Sequence, residues 1–214
     1  MCAQTVQPDY TALRNTPVAT DPFPHVVVEH FIRPDDLRAL FVSMPDISAG
    51  GSWPPESLTL NPLVADLVAQ LRGETLRDII AAKFSLDLTD APTMLTIRGR
   101  TREKDGRIHR DSISKRVTIL LYLNPESDAF SRKEGCLRLL RGPDDIEDYA
   151  AEIPPVNGTL LVFPNSPDTW HGHRRYVGPR YTIQLNYMAT DARARHEMRR
   201  HHLSALAKRL PFLR

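Results

Sequence analysis

The chain has 214 residues and a formal net charge of +2; 41% of its residues are hydrophobic and 25% are charged, as in ordinary globular proteins. No apolar run approaches the roughly 18 residues that a membrane helix needs, and the N-terminus lacks the pattern of a signal peptide. Cysteine occurs only at Cys2 and Cys136, which fits a reducing compartment and excludes a metal site built from cysteines. We therefore expect a soluble, cytoplasmic protein of one domain, in which any metal is bound by histidine and carboxylate.

The first part of the chain is predicted to be mainly helical. Residues 22–41 predict a short strand and then a helix whose first turn carries two aspartates, which suit the positive end of a helix dipole. Leucine and isoleucine recur at helical spacing over residues 61–83, and this second helix is expected to break near Gly73. Trp53 lies in the intervening loop, rich in glycine and proline, where it either packs or serves as a lid.

After Pro92 the pattern changes from helices to strands. Short apolar runs separated by turn residues occur at 93–98, 116–123, 136–140, 158–163 and 180–188. Several short strands with this spacing are typical of an antiparallel barrel or sandwich.

The C-terminal segment is strongly basic. Residues 191–214 carry seven Lys/Arg and two Asp/Glu, a net charge of +5, so the remainder of the chain is near −3. Met198, Leu203, Leu206 and Leu210 lie at spacings that predict an amphipathic basic helix. We favour a solvated helix packed on the domain over a nucleic-acid or membrane surface.

Three polar positions near the predicted strands carry metal-binding side chains. His109 and Asp111 are two residues apart just before residues 116–123, so in an extended chain they point the same way. With eight histidines in the chain, this spacing alone is a weak signal. His171 lies before the last strand and supplies a third candidate ligand.

The last predicted strand has one apolar and one polar face. The polar face carries Arg180, Thr182, Gln184 and Asn186, and it faces either solvent or the wet interior of a small barrel. Two histidines and one carboxylate suit either iron(II) with three open positions or a hydrolytic zinc site. Arg180 favours the first choice, because a fixed guanidinium suits the carboxylate of a small dicarboxylate.

Residues 93–188 resemble the 2-oxoglutarate and iron(II)-dependent oxygenases, particularly their prolyl-hydroxylase-like branch. The motifs of that family occur here in one order: His109-Arg110-Asp111, Tyr122-Leu123-Asn124, Gly135-Cys136-Leu137-Arg138, Gly158-Thr159-Leu160-Leu161-Val162-Phe163, His171, and Arg180-Tyr181-Thr182-Ile183. The conjunction is far more specific than any one of its parts.

The resemblance implies a mostly β fold with flanking helices around a double-stranded β-helix, a cupin-like jelly roll. Residues 1–214 would form a single oxygenase domain, with helical support at 1–92, the jelly-roll core at 93–188 and the basic helix at 189–214.

The resemblance also implies roles for individual residues. His109, Asp111 and His171 would bind the catalytic Fe(II). Arg180 would pair with the distal carboxylate of the cosubstrate 2-oxoglutarate, and the Tyr122 hydroxyl would donate a hydrogen bond to it.

Other polar residues are assigned around these five. The spacing to Arg180 selects His171 over His173 as the iron ligand, which leaves His173 beside the ligands or the substrate. Arg98 and Arg100 are the predicted substrate contacts, within a basic loop that could attract a carboxylate or phosphate. The alternative, a solvated hairpin around Lys104-Asp105-Gly106, is slightly favoured for this loop. Gln184 replaces the family's helper threonine, so a second contact to the cosubstrate there stays open.

The function implied by the resemblance is that of a dioxygenase that uses O2 and 2-oxoglutarate to hydroxylate a substrate and releases succinate and CO2. Halogenating relatives need the carboxylate position vacant, and Asp111 fills it here. The alternatives are a barrel whose metal serves hydrolysis or isomerisation, and a binding module without catalysis. The substrate is a small molecule or a protein, with no membrane partner and no pattern for nucleic acid, and a homo-oligomer is compatible with the sequence.

Overall fold

The computed structural model describes residues 5–209 and the side chains of all of these except 128, 201, 202 and 204–209. The described helices are α1 (Tyr10–Asn15), α2 (Pro34–Ser43), α3 (Pro62–Leu71), α4 (Glu74–Phe84), α5 (Asp128–Ser131) and α6 (Ala192–Arg209). The described strands are β1 (Val26–Val28), β2 (Thr93–Thr101), β3 (Lys115–Tyr122), β4 (Leu137–Leu140), β5 (Tyr149–Ile153), β6 (Leu160–Pro164), β7 (His171–His173) and β8 (Gly178–Met188).

The strands form two antiparallel sheets that pack against each other. The larger sheet has the order β1-β6-β3-β8-β2 and the smaller sheet the order β5-β4-β7. Tyr122 and Phe163 of the larger sheet share an apolar cluster with Leu137 and Leu139 of the smaller sheet. This arrangement confirms the predicted mostly β fold with a jelly-roll core and flanking helices.

The outer face of the larger sheet is covered by the helical part of the chain. Alternate residues of β8, such as Ile183 and Leu185, lie in one cluster with Leu63 and Leu67 of α3. These side chains are almost completely buried, and each contributes roughly 1.5–3 kcal/mol of transfer free energy when fully buried. The opposite face of β8 therefore points into the space between the sheets.

That opposite face answers the question left open by the polar pattern of β8. Arg180, Thr182, Gln184 and Asn186 are all buried, with exposed fractions between 1% and 8%. Because strand side chains alternate between faces, this polar row lines the interior and does not face solvent. Buried polar groups need partners, so the interior of this barrel is a candidate ligand site.

The helices agree with several expectations and depart from others. The predicted helical segment that breaks near Gly73 and the predicted helix with Asp35 and Asp36 in its first turn are confirmed. The sequence did not predict α1, α5, β5 or β7. No helix among the described residues is long and apolar enough to cross a membrane.

The basic C-terminal segment forms the predicted helix, α6. Ala194 is buried, whereas Leu203 is 64% exposed. Cys2, Leu210 and Arg214 lie outside the described residues, as does the Leu206 side chain.

Candidate active site

The candidate ligands His109, Asp111 and His171 come together at one end of the barrel. Their ligand atoms all lie within 4.8 Å of one another. The segment that carries His109 is not a strand; it forms a single antiparallel bridge to His171, the first residue of β7. The two backbones exchange hydrogen bonds, His109 N–H to His171 O and His171 N–H to His109 O, both 3.0 Å. This exchange holds the two imidazoles side by side.

Hydrogen bonds fix which ring nitrogen each histidine offers. Nδ1 of His109 lies 2.8 Å from the Arg107 carbonyl oxygen, and Nδ1 of His171 lies 2.9 Å from the Thr169 carbonyl oxygen. A carbonyl only accepts, so each Nδ1 carries the hydrogen and Nε2 is left with its lone pair. Burial and then the neighbouring His109 lower the pKa of His171 to about 4, which keeps its imidazole neutral. Neutral imidazoles with a held Nδ1–H are what a metal requires.

Asp111 is held by two donors. Lys115 Nζ lies 2.7 Å from one carboxylate oxygen, and the Thr118 hydroxyl donates to the other at 2.6 Å. Burial by itself would raise the pKa of Asp111, but Lys115, His171 and Thr118 outweigh it and lower this pKa to about 2. The carboxylate is therefore ionised and oriented at neutral pH. Sequence reasoning missed both donors; the only available signal was the face that Thr118 shares with Tyr122.

Behind the three ligands lies a cavity of about 90 Å³, the inner cavity. It is lined by residues from β2, β3, β4, β7 and β8, among them all three candidate ligands. Arg98 of β2 and Tyr122 of β3 both pair in register with Thr182 of β8, so their side chains form one row across three strands. Arg180 precedes Thr182 on the same face of β8.

Four buried polar atoms of the inner cavity have no hydrogen-bond partner within the described protein. They are Arg98 Nε, the Tyr122 hydroxyl, one terminal nitrogen of Arg180 and the Thr182 hydroxyl. Arg180 donates through Nε to the Gly135 carbonyl oxygen at 3.0 Å, and its guanidinium carbon lies 5.1 Å from the centre of the Tyr122 ring. Leaving such donors unsatisfied costs about 1–3 kcal/mol each, more for charged groups.

These orphaned atoms fit the carboxylates of a small dicarboxylic acid. Burial raises the pKa of Tyr122 even against the positive charge of Arg180, so its hydroxyl is a donor at neutral pH. A buried guanidinium without an anion is strongly disfavoured, whereas a carboxylate would accept from Arg180 and Tyr122 together. The donor set therefore matches an anionic organic cosubstrate next to a metal.

The structure separates the three predicted substrate contacts. Arg98 and His173 line the inner cavity, whereas Arg100 is exposed and lies outside that lining. Burial and then Arg180 lower the pKa of His173 to about 4, and its Nδ1 donates to the Arg174 carbonyl oxygen at 2.8 Å. His173 is thus a neutral residue of the cavity wall, next to the cluster of candidate ligands that contains His171.

Two further sequence expectations concern Gln184 and Trp53. Gln184 does line the inner cavity, at the position where a helper threonine was missing. Trp53 exchanges backbone hydrogen bonds with Ile97 at 2.8 and 2.9 Å, which attaches its loop to β2. It is not among the residues that line the cavity, so the structure gives it a packing role.

A second and larger cavity opens on the outer side of His109 and Asp111. It has a volume of about 670 Å³ and is bounded by residues 108–115, residues 165–170 and Arg193 of α6. We call it the outer groove. The two cavities share His109 and Asp111, so a metal bound there would be reached from both sides.

Comparison with known proteins agrees with this geometry. Residues 99–188 match the family described as the 2OG-Fe(II) oxygenase superfamily. Comparison with curated proteins gave no match.

Similar solved structures include three hydroxylases. A Pseudomonas putida prolyl-4-hydroxylase is 16% identical with a TM-score of 0.55, over 88% of this chain and 97% of that one. A prolyl 4-hydroxylase from Phytophthora capsici is 14% identical with a TM-score of 0.59, over 98% and 78%. The 2OG complex of the viral collagen prolyl hydroxylase from Paramecium Bursaria Chlorella virus-1 is 10% identical with a TM-score of 0.53, over 81% and 99%. At these identities the likeness establishes the jelly-roll fold.

The family match covers the segment between β2 and the end of β8, which holds every candidate ligand of the metal and cosubstrate. Fe(II), 2-oxoglutarate and O2, as predicted from the sequence, are the cofactor and cosubstrates of this superfamily. The match of residues 99–188 to the 2OG-Fe(II) oxygenase superfamily confirms the resemblance read from the sequence motifs.

Proposed function

We propose that this protein is a 2-oxoglutarate and Fe(II)-dependent dioxygenase that hydroxylates a C–H bond of its substrate and releases succinate and CO2. The observation that carries the proposal is the position of His109, Asp111 and His171 in the lining of a cavity whose unpaired donors fit a dicarboxylate. The metal ligands and the groups that would donate hydrogen bonds to the dicarboxylate thus belong to one site.

Each residue has a physical task in this proposal. His109 and His171 would hold the metal through Nε2, because their Nδ1 atoms already donate to backbone carbonyls. Asp111 would supply the one anionic ligand, oriented by Thr118 and Lys115. Arg180 and Tyr122 would hold the far carboxylate of 2-oxoglutarate, which orients the keto acid toward the metal.

The metal and cosubstrate would supply the oxidation itself, which couples decarboxylation of 2-oxoglutarate to the activation of O2. The chain contributes placement and exclusion of water. The inner cavity is small and lined mainly by residues of β-strands, so few water molecules would share it with the cosubstrate. The outer groove leaves one side of the metal ligands open to a substrate.

The alternatives make less use of these residues. A metal-dependent hydrolase or isomerase needs the three ligands but gives no reason for Arg180 and Tyr122 to lie buried beside them. A non-catalytic binding module gives no reason for two imidazoles and a carboxylate to converge within 4.8 Å. A cytoplasmic location, predicted from the use of cysteine, is part of the proposal.

The test is binding of Fe(II) and 2-oxoglutarate under argon, followed by exposure to air. The proposal expects a visible absorption band from the bound keto acid and then release of succinate. His171→Ala should abolish the band, whereas His173→Ala should retain it, since only His171 belongs to the cluster of candidate ligands. A band that survives in His171→Ala but disappears in His173→Ala would move the metal ligand to His173, and no succinate from any sample would refute the oxygenase activity.

A further inference from the structure

The two cavities that meet at His109 and Asp111 differ in capacity. The inner cavity, about 90 Å³, is much the smaller of the two. That space suits a small organic acid but not a cosubstrate together with a second ligand. The outer groove, about 670 Å³, lies within the range of roughly 300–1,000 Å³ found for small-molecule sites. A substrate therefore has room only in the outer groove.

The outer groove is strongly cationic. Arg110, Lys115 and Arg193 line it, and Asp111 is the carboxylate that they face among the described residues. Lys115 is engaged with Asp111 at 2.7 Å. Within the described part of the chain, Arg110 and Arg193 form no salt bridge, so the residues that line the groove carry an excess of positive charge.

Arg110 is also fixed in place. Its guanidinium lies over the Trp170 ring, 4.6 Å from the ring centre, and donates to the Pro167 carbonyl oxygen at 2.8 Å. A guanidinium has five N–H donors, so this bond leaves most of them for a ligand. Ile113, whose side chain is 76% exposed, and Trp170 add apolar surface to the same groove.

We propose that the outer groove is the substrate site and that it selects a small molecule with a carboxylate or phosphate, bound by Arg110 and Arg193. That the bound molecule is a substrate rests on the proposed function. That the groove binds an anion is argued from the groove residues alone. Nucleic acid fits less well, because Arg110 already covers a face of Trp170 on which a base would stack. Binding at these arginines would place the rest of the ligand against His109 and Asp111.

The proposal is tested by NMR with a series of phenyl compounds that differ in charge: benzoate, phenyl phosphate, neutral benzamide and cationic benzylamine. The chain has two tryptophans, so two indole N–H signals report binding, and Trp53→Phe assigns that of Trp170. The protein is kept with saturating 2-oxoglutarate and Fe(II) under argon, and the titrations are repeated on metal-free protein. We expect benzoate and phenyl phosphate to shift the Trp170 signal saturably, and benzamide and benzylamine to bind at least about fivefold more weakly.

Matched variants locate the site. Arg110→Gln and Arg193→Gln should each weaken the binding of both anions by about three- to tenfold. Arg33→Gln is the control, because Arg33 is exposed and does not line the groove, and it should leave anion binding unchanged. If the variants weaken benzoate binding more, the preferred group is a carboxylate. If they weaken phenyl phosphate binding more, the preferred group is a phosphate.

Several outcomes would overturn the inference: equal binding of benzamide and benzoate, unchanged affinity in both Arg110→Gln and Arg193→Gln, or displacement of the probes by 2-oxoglutarate, which would place them in the inner cavity. Binding of the anions to the metal-free protein separates this inference from the proposed activity. If the groove binds them while no succinate forms, the oxygenase proposal fails and the anion site stands; the reverse result refutes only the anion site.

Discussion

At the scale of single residues, the donors of the inner cavity define what the site can recognise. Arg180 and Tyr122 lie in contact, both buried, and both have a polar atom without an internal partner. Arg98, in register with Thr182, adds a second guanidinium to the same wall, and its pKa is lowered by burial and then by Arg180. The positive charges of Arg98 and Arg180 repel each other, and a bound anion would remove this repulsion.

The first prediction concerns Arg180. Arg180→Ala removes the guanidinium that we propose to bind the cosubstrate. The loss of a charge-assisted contact costs roughly 1.5–3 kcal/mol, so the dissociation constant for 2-oxoglutarate should rise about tenfold to a hundredfold. Arg180→Lys keeps the charge but loses the planar geometry, and should lie between the parent and the alanine variant. Titration of the visible band under argon measures both. Unaltered 2-oxoglutarate affinity in Arg180→Ala would show that the guanidinium is a structural residue, and metal affinity serves as the control because it should hardly change.

At the scale of secondary-structure elements, the turn before β6 sets how α2 meets the larger sheet. Gly158 has a φ of +67°, and its carbonyl oxygen accepts from Ile32 N–H at 3.2 Å. A Cβ added at Gly158 would lie 2.5 Å from the Ile32 carbonyl oxygen. Both the backbone conformation and the close approach therefore require glycine.

The second prediction follows from that turn. Gly158→Ala should lower the free energy of unfolding by about 1–3 kcal/mol, because alanine is strained at this φ. Gly142 is the matched control, since a Cβ there meets nothing within 4 Å. Gly142→Ala should stay within about 0.5 kcal/mol of the parent. Urea unfolding of the two variants decides; equal stability would mean that Ile32 moves aside freely.

The third prediction concerns the side-chain network around Glu147, which connects β4 with the end of β7. Arg174 donates to both carboxylate oxygens of Glu147, at 2.9 and 2.7 Å, and Arg138 donates to one of them at 2.6 Å. The hydrogen bonds from Arg174, and then those from Arg138, lower the pKa of Glu147 from 4.5 to about 2. Since the folded protein holds the ionised form, this contribution to stability is complete above about pH 4.5 and is lost as the pH falls toward 2.

Glu147→Gln should accordingly reduce the loss of stability between pH 5 and about pH 3, where the parent protonates Glu147 on unfolding. Urea midpoints at several pH values measure the slope. Substitution of the exposed Glu29 by glutamine provides the control, and an acid slope identical in Glu147→Gln and the parent would contradict the role of Arg174.

Sequence patterns predicted the elements that have enough length to show a period. The strands β2, β3, β6 and β8 alternate or run apolar over several residues, so they were found. β7 has three residues, two of them histidine, and β5 carries partly exposed alanines and glutamate, so neither has a hydrophobic period to detect. Their pairing with β4 comes from tertiary contacts.

The candidate site shows the same division. The family motifs named His109, Asp111, His171, Arg180 and Tyr122, and the structure brings all five to the inner cavity. The bond from Lys115 to Asp111, the row formed by Arg98 and Thr182, and the stacking of Arg110 on Trp170 depend on register and loop packing. Arg98 and Thr182, and Arg110 and Trp170, are far apart in the chain, and no local sequence pattern encodes contacts of that kind.

At the scale of the whole molecule, metal and cosubstrate should stabilise the fold, because their binding residues come from both sheets and converge only in the native state. A ligand at 100 times its dissociation constant adds about 2.7 kcal/mol to the free energy of unfolding, or roughly 5–10 °C in Tm for a chain of this size. Fe(II) and 2-oxoglutarate, added in turn under argon, should each raise the Tm of the parent.

Variants separate the increase in Tm caused by Fe(II) from the increase caused by 2-oxoglutarate. His109→Ala and Asp111→Ala should lose the increment due to Fe(II), whereas Arg180→Ala should keep it and lose most of the increment due to 2-oxoglutarate. Thermal melting followed by circular dichroism measures both. An Fe(II) increment that persists in both triad variants would place the metal elsewhere.

The reciprocal backbone bonds between His109 and His171 have a consequence for the order of assembly. These two residues are distant in sequence, and they face one point only after β7 has joined β4 and the segment before β3 has docked beside it. Contacts of such long range carry a loop-closure cost and tend to form late in folding. We therefore expect the proposed iron site to exist only in the folded barrel, so iron would bind after folding and would not act as a template for it.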